Sequence, residues 1–304
     1  MQVGVIGLGN IGGHVASNLV ADGHDTVVFD VDADRALVIG GARAVKSVGD
    51  VGAACEITVL SLPTPTVVRR VSDEWAVTAA PGAVLVDLST NSPEVVRELG
   101  GQLAASGHHL VEAPLTGGAV GAERRMLSFM VGGDAAAVAR VQPVLEPLGR
   151  AFVHLGPLGL GNTMKLVNSL IAFTTTWVSL EGLSLAAKSG IPVQQAVDVL
   201  RTNGVGNFYL DRMVETIDTR DAPTQFALAL AAKDAGLIVE MGRALGVPTP
   251  AGGAVLQILV GAIERLNRAL VWLDVWENTF HRLELGEPQP DCPTCQRAQY
   301  DYLT

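Results

Sequence analysis

The sequence predicts an α/β chain, a doubly wound parallel sheet of Rossmann type followed by an all-α C-terminal domain, on three observations. Residues 1–30 read as strand, glycine turn, helix, strand and acid. Up to about residue 155, short apolar strands alternate with helical segments, the pattern of a parallel sheet covered on both faces. From about Gly159 onward, long helical segments replace them. The expected division is therefore a dinucleotide-binding domain over residues 1–158 and an all-helical substrate and oligomerisation domain over residues 159–304.

The first strand, Val3-Gly4-Val5-Ile6, runs directly into Gly7-Leu8-Gly9-Asn10-Ile11-Gly12, a G-x-G-x-x-G that opens a helix over residues 11–21. Gly7 permits the tight turn, Gly9 lets the backbone approach a pyrophosphate, and Gly12 lets helix and strand pack closely while the helix N-terminus faces the phosphates. The motif alone is weak in a chain with 34 glycines. It gains its force from the strand before it and from Thr26-Val27-Val28-Phe29, which ends in Asp30, where a ribose-binding acid belongs. A carboxylate there favours NAD over NADP, because Val31 offers no guanidinium to a 2′-phosphate and the nearest cation is Arg35.

Further strands are expected at residues 57–61, 84–87, 109–111, 128–131 and 151–153, with helices at 66–79, 93–106 and 135–148. Ser92 caps the second of these, with Pro93 at its first position. The helical domain is read as segments 162–189, 193–202, 208–217, 227–245, 251–266 and 269–283, the first stopped by Gly190 and Pro192.

Composition narrows the class. Asp plus Glu outnumber Lys plus Arg by 31 to 21, for a net charge of -10, and no basic stripe carries interleaved aromatics, so nucleic acid is an unexpected partner. No uninterrupted apolar run approaches the roughly 18 to 20 residues of a membrane span, and no signal segment precedes the first strand. A cytoplasmic enzyme is expected. Cys55 reads as a small apolar residue, and Cys292-Pro-Thr-Cys295 lacks the second ligand pair of a zinc site even with His281 nearby, so no metal is expected.

Chemistry is expected where the strands end and the two domains meet. Asp87-Leu-Ser-Thr90 and Pro114-Leu-Thr-Gly-Gly118 bring hydroxyls and backbone N–H groups there, suited to a carboxylate or amide, although turn chemistry alone would explain the same residues. Lys165 lies in the first turns of a long apolar helix, with Asn168 and Ser169 three and four residues on and hence on its face. Such a lysine is either poised for proton transfer or snorkelling from a buried helix. Lys233-Asp234 is a third candidate, an isolated charge pair in an apolar run, although neighbouring opposite charges on a helix are often a solvated patch.

These motifs occur together, and in this order the chain resembles the β-hydroxyacid dehydrogenases of the 3-hydroxyisobutyrate dehydrogenase type, which are related to phosphogluconate dehydrogenase. The resemblance runs from Gly4-Val-Ile-Gly-Leu-Gly-Asn-Ile-Gly12 through Leu62-Pro63, Asp87-Leu-Ser-Thr90, Ala113-Pro-Leu-Thr-Gly-Gly118 and Gly159-Leu-Gly-Asn-Thr-Met-Lys-Leu-Val-Asn168 to Lys233-Asp234. It implies that Lys165 is the catalytic acid/base. Thr116, Gly117 and Gly118 would hold a substrate carboxylate, with Ser89, Asn168 and Ser169 beside them. Leu62, Pro63 and Thr90 would contact the cofactor near the nicotinamide, and Lys233 would reach it from the helical domain. The implied reaction is hydride transfer between NAD and a small β-hydroxy acid or its semialdehyde, in a dimer or tetramer.

Four departures bear on the substrate: Ser169 for the usual amide, Thr116 for Ser, Arg124-Arg125 after Gly121-Ala-Glu123, and an extended tail from Glu284. Arg124, Arg125 and Arg201 are candidates for reading a second anionic group. Two alternatives are an imine reductase, which typically carries another proton donor in place of Lys165, and a non-catalytic dinucleotide-binding scaffold, which would lack the lysine.

Overall fold

The computed structural model describes residues 1–219, 226–266, 270–274 and 279–283. It divides into two compact units, Met1–Val167 and Asn168–Thr304. The Cys292 and Cys295 tail lies outside the described residues.

In the first unit, β1 (Gln2–Ile6) leads through the glycine turn to α1 (Gly12–Ala21) and β2 (Asp25–Phe29). There follow α2 (Ala33–Leu37), β3 (Arg43–Ala44), α3 (Val48–Ala54), β4 (Ile57–Leu60), α4 (Pro65–Thr78), β5 (Val84–Asp87), α5 (Pro93–Ala105) and β6 (His109–Glu112). The unit is completed by β7 (Leu115–Thr116), α6 (Gly118–Glu123), β8 (Leu127–Gly133), α7 (Ala135–Leu145), a 3-10 turn at Glu146–Leu148 and β9 (Gly149–Gly156). The strand order is β3-β2-β1-β4-β5-β6-β8-β7, with β9 also paired to β8. Every pair from β3 to β6 is parallel. The sheet is not parallel throughout, because β8 runs against both β6 and β7.

Alternation along the strands divides the core into two layers. Val3, Val5, Val28, Ile57, Val59, Val84, Val86 and Val111 pack on one face of the sheet with α1 and α7. Ile6, Val27, Leu60, Leu85 and Leu110 pack on the other with Val51, Val68, Trp75, Val96 and Leu99. Each such side chain contributes about 1.5–3 kcal/mol when fully buried. The buried Trp75 indole donates to Thr58 Oγ1 at 3.0 Å, so its polar edge is satisfied inside the second layer. Cys55 belongs to the same layer, and burial pushes its thiol up to about 11, as befits an inert packing residue.

The strands end level. Phe29, Ile6, Leu60, Asp87 and Glu112 are successive register partners across β2, β1, β4, β5 and β6. Reversal of strand order between β1 and β4 is the switch point at which such sheets bind ligands beyond their carboxyl ends.

The second unit is mainly helical. α8 (Leu160–Lys188) enters it from the first, and α9 (Val193–Thr202), α10 (Phe208–Thr219), α11 (Leu228–Leu245) and α12 (Pro250–Leu266) follow. Leu183, Ala196, Val197, Leu210 and Val214 form a core between α8, α9 and α10. α11 ends at Gly246 in the left-handed region, with Val247 N–H returning to Gly242 O at 2.8 Å. Among the described residues α8 is long and apolar enough to cross a membrane by length and composition alone, although Lys165 and Glu181 interrupt its apolar run.

The helix expected over residues 269–283 is instead an antiparallel hairpin of β10 (Leu270–Asp274) and β11 (Thr279–Leu283), so this region is not all-α. Short apolar runs rich in Val, Trp, Thr and Phe suit strands as well as helices, and periodicity does not separate the two at that length.

Candidate active site

The glycine turn has the geometry each glycine implies. Gly7 sits at φ +89°, where only glycine is at ease, and a Cβ on Gly12 would collide with the Gly7 carbonyl oxygen. Gly9 is different. A Cβ there would come no closer to the protein than 3.9 Å, from Arg35 Nη1, so packing within the chain does not demand glycine, whereas close approach of a pyrophosphate does. Most helices of this unit carry side-chain caps, from Ser47, Thr64, Ser92 and Asp134. α1 starts at Ile11, whose side chain cannot accept a hydrogen bond, and so offers its first amides to an anion.

Asp30 faces this turn. Its Oδ2 accepts from Leu8 N–H at 2.6 Å and its Oδ1 from Asp32 N–H at 2.8 Å, and α2 takes its cap from Asp32 instead. A carboxylate accepts about four hydrogen bonds, so capacity for ribose hydroxyls remains. These residues fit a dinucleotide.

Beyond β4 and β5 the loops are tied together. Leu62 N–H donates to Ser89 Oγ at 3.0 Å, Ser89 N–H donates to Asp87 Oδ1 at 2.9 Å, and Pro63 and Thr90 flank this link, half-buried. Thr116 lies in β7 opposite Ser128, and Gly117 and Gly118 follow at φ +121° and +61°, turning the chain into α6 with backbone that a side chain would strain. β6 and β7 pair with successive stretches of β8, so Glu112 and Thr116 follow one another along the same strand edge.

Lys165 is half-buried in the second turn of α8, and Asn168 and the fully buried Ser169 fall at helical spacing from it. Lys233 is ion-paired with the buried Asp234 at 3.0 Å on α11. Two of the three arginines proposed as anion readers, Arg125 and Arg201, are engaged elsewhere. Arg125 pairs with Asp22 at 2.8 Å and donates to Asn18 O, at the end of α1 remote from the glycine turn. Arg201 bridges Asp198 at 3.0 Å and Asp211 at 2.8 Å. Among the described residues, no three His, Cys, Asp or Glu side chains cluster to hold a metal.

Two residues of this region escaped the sequence reading. Glu112 and Asn162, both fully buried, meet at the start of α8, about a turn before Lys165. The available signal was an acid ending an otherwise apolar strand and an Asn just ahead of the lysine, but their contact spans 50 residues of sequence.

Residues 2–156 match the NAD-binding domain of 6-phosphogluconate dehydrogenase, and residues 159–270 match the NAD-binding region of NADP-dependent 3-hydroxyisobutyrate dehydrogenase. The chain is 33% identical over 287 residues to 2-(hydroxymethyl)glutarate dehydrogenase of Eubacterium barkeri, covering 91% of this chain and 95% of that protein. It is 30% identical over 269 residues to NAD-dependent L-serine dehydrogenase of Pseudomonas aeruginosa, covering 84% and 90%. The structure of Mycobacterium tuberculosis 3-hydroxyisobutyrate dehydrogenase with L-serine superposes with a TM-score of 0.80 at 30% identity, over 86% of this chain and 94% of that one. Fold and site thus define an NAD-binding oxidoreductase of the dehydrogenase class. The chain belongs to the β-hydroxyacid dehydrogenase family, of the 3-hydroxyisobutyrate dehydrogenase type.

Proposed function

We propose that this chain catalyses reversible hydride transfer between NAD and a small 3-hydroxy acid or the corresponding semialdehyde, with Lys165 as general acid/base. The observation that carries the reading is the common edge: the glycine turn, Asp30, Leu62 and Ser89 follow the level strand ends, Thr116–Gly118 come a few residues after Glu112 in the same row, and the first turn of α8 is hydrogen-bonded to Glu112. NAD, when bound, supplies the carbon that accepts the hydride. In oxidation, neutral Lys165 Nζ accepts the substrate hydroxyl proton as the carbonyl forms, and in reduction the ammonium returns it. The Thr116 hydroxyl and the Gly117 and Gly118 N–H groups hold the carboxylate, with Ser89, Asn168 and Ser169 contributing polar contacts. Leu62, Pro63 and Thr90 line the nicotinamide end. The relatives named above act on hydroxy acids with a carboxylate and a 3-hydroxyl in common, which supports this substrate class.

The test is NADH formation, followed at 340 nm, across 3-hydroxy acids that differ in the C2 substituent, with cyclic imines and NADPH as a parallel arm. Imine reductases have the same architecture. Turnover of at least one hydroxy acid is expected; turnover of imines alone would overturn the reading.

A further inference from the structure

Glu112 is inaccessible to solvent, yet hydride transfer as described makes no use of it. Its carboxylate is filled from one direction. Oε1 accepts the N–H of Gly159 and, at 3.0 Å, that of Gly161; Oε2 accepts the N–H of Asn162 at 2.9 Å and its Nδ2 at 2.6 Å. Four donors on two oxygens match an ionised carboxylate. Burial pushes this carboxyl above the usual range, and the bonds from Asn162, Gly159 and Gly161 act against that rise.

Asn162 uses its other end to accept the Asn91 N–H on Oδ1 at 2.7 Å, and Asn91 Nδ2 donates to Asp87 Oδ2 at 2.6 Å. Asp87 already holds Ser89 N–H, and Ser89 holds Leu62 N–H. One hydrogen-bonded chain therefore runs from Leu62 after β4, past Asp87 and Glu112 at the ends of β5 and β6, to the first turn of α8. Packing is equally tight: a Cβ on Gly161 would lie 2.5 Å from Met130 O and 3.0 Å from Glu112 Cδ. The helix start can neither slide nor roll without breaking this chain.

Lys165 follows Asn162 by three residues and Gly161 by four, so it shares their helix face, and helical side chains lean back over the preceding turn. A buried carboxylate is a poor device for stability alone, since well-packed apolar groups of similar volume often do as well or better. We infer that Asn162 and Glu112 are positioning residues, which set the height and roll of α8 and so place Lys165 Nζ relative to Ser89 and the Leu62–Pro63 loop. The inference rests on Lys165 being the general acid/base.

The test is a double-mutant cycle on the full chain. Asn162→Ala and Asn162→Ser, the latter keeping a donor and acceptor hydroxyl of shorter reach, are made in the wild-type and Lys165→Ala backgrounds. With the best substrate of the panel, Asn162→Ala should lower kcat by about 10²-fold in the wild-type background, the order expected of a misplaced reacting group. NADH affinity by fluorescence titration should be unchanged, and amide exchange at Gly161 should quicken. In the Lys165→Ala background the same change should cost nothing further, since residues acting as a unit are not additive. Equal losses in both backgrounds, or an undiminished kcat for both Asn162 variants, would overturn this inference alone. Near wild-type activity of Lys165→Ala itself would overturn the proposed mechanism and this inference with it.

Discussion

Leu8 N–H donates to Asp30 Oδ2 at 2.6 Å, so the glycine turn and the acid at the end of β2 are held together before any cofactor arrives. In the proposed site this couples ribose recognition to pyrophosphate recognition: a change at Asp30 is expected to alter the turn as well as the pocket. Wild type is expected to have the higher kcat/KM with NAD. Asp30→Ser combined with Val31→Arg removes a repulsive carboxylate and adds a bidentate phosphate partner, and should shift the ratio toward NADP. Steady-state kinetics with both cofactors decide this; a wild type that prefers NADP would show that Arg35, beside Gly9, outweighs Asp30.

Gly9 and Gly12 should respond differently to the same added methyl group. Gly12→Ala forces a Cβ against the Gly7 carbonyl and should lower the melting temperature. Gly9→Ala meets nothing nearer than 3.9 Å in the protein, and should melt like wild type while binding NADH more weakly. Thermal unfolding and NADH fluorescence on the two variants separate the effects, and a large loss of stability in Gly9→Ala would contradict the pyrophosphate role.

Lys165→Ala should reduce kcat by about 10²–10⁴-fold, the usual range for a general acid/base group, with NADH affinity nearly intact. An ionisation that controls kcat in the wild-type pH–rate profile should be missing from that of the variant.

Glu112 makes a pH prediction with a definite sign. Its folded-state pKa lies above the ordinary 4.5, chiefly because burial disfavours the charged form. From about pH 4.5 up to the raised value, the folded state holds a proton that the unfolded state has released, so this group's contribution to stability falls as pH rises. Glu112→Gln lacks that term. The melting-temperature difference, wild type minus variant, should therefore decrease across this window and level off above it; a difference that grows with pH would mean the carboxyl is held low instead.

On α8, Ile171, Val178 and Leu185 are 58%, 61% and 72% exposed and recur every seven residues, which gives one apolar stripe along the helix. Self-association through this stripe is the expected consequence, as a dimer or tetramer. Sedimentation equilibrium should show an oligomer for wild type and a smaller species for Val178→Glu; a wild-type monomer at micromolar concentration would rule the association out.

The sequence carried the β1–α1–β2 start plainly, because its change of period and its glycines are local signals read over thirty residues. Lys165 stands out in the sequence for a similar local reason, a charge within an apolar helix. β3 and β7, two residues each, were not, since no period can be counted in so short a run. The hairpin of β10 and β11 was misread where apolar residues fit either period. Glu112 and Asn162 were missed because their significance lies in a pairing across β6 and α8 that neither neighbourhood announces. Arg125 and Arg201 are candidate anion readers by sequence, whereas acids 103 and 10 residues away already engage them.

Because Phe29, Ile6, Leu60, Asp87 and Glu112 stop in one row, the strands end on a common plane and the reactive parts are appended beyond it. The turns after β1 and β2 carry the proposed dinucleotide contacts; those after β6 and β7 carry the proposed grip on the acid. Heritable change in residues 113–118 can therefore redraw which acid is accepted without disturbing the half that reads the nucleotide. A lineage built on this plan would diversify by substrate while its redox currency stayed fixed, and chimaeras that exchange only this loop are the units in which such diversification would proceed.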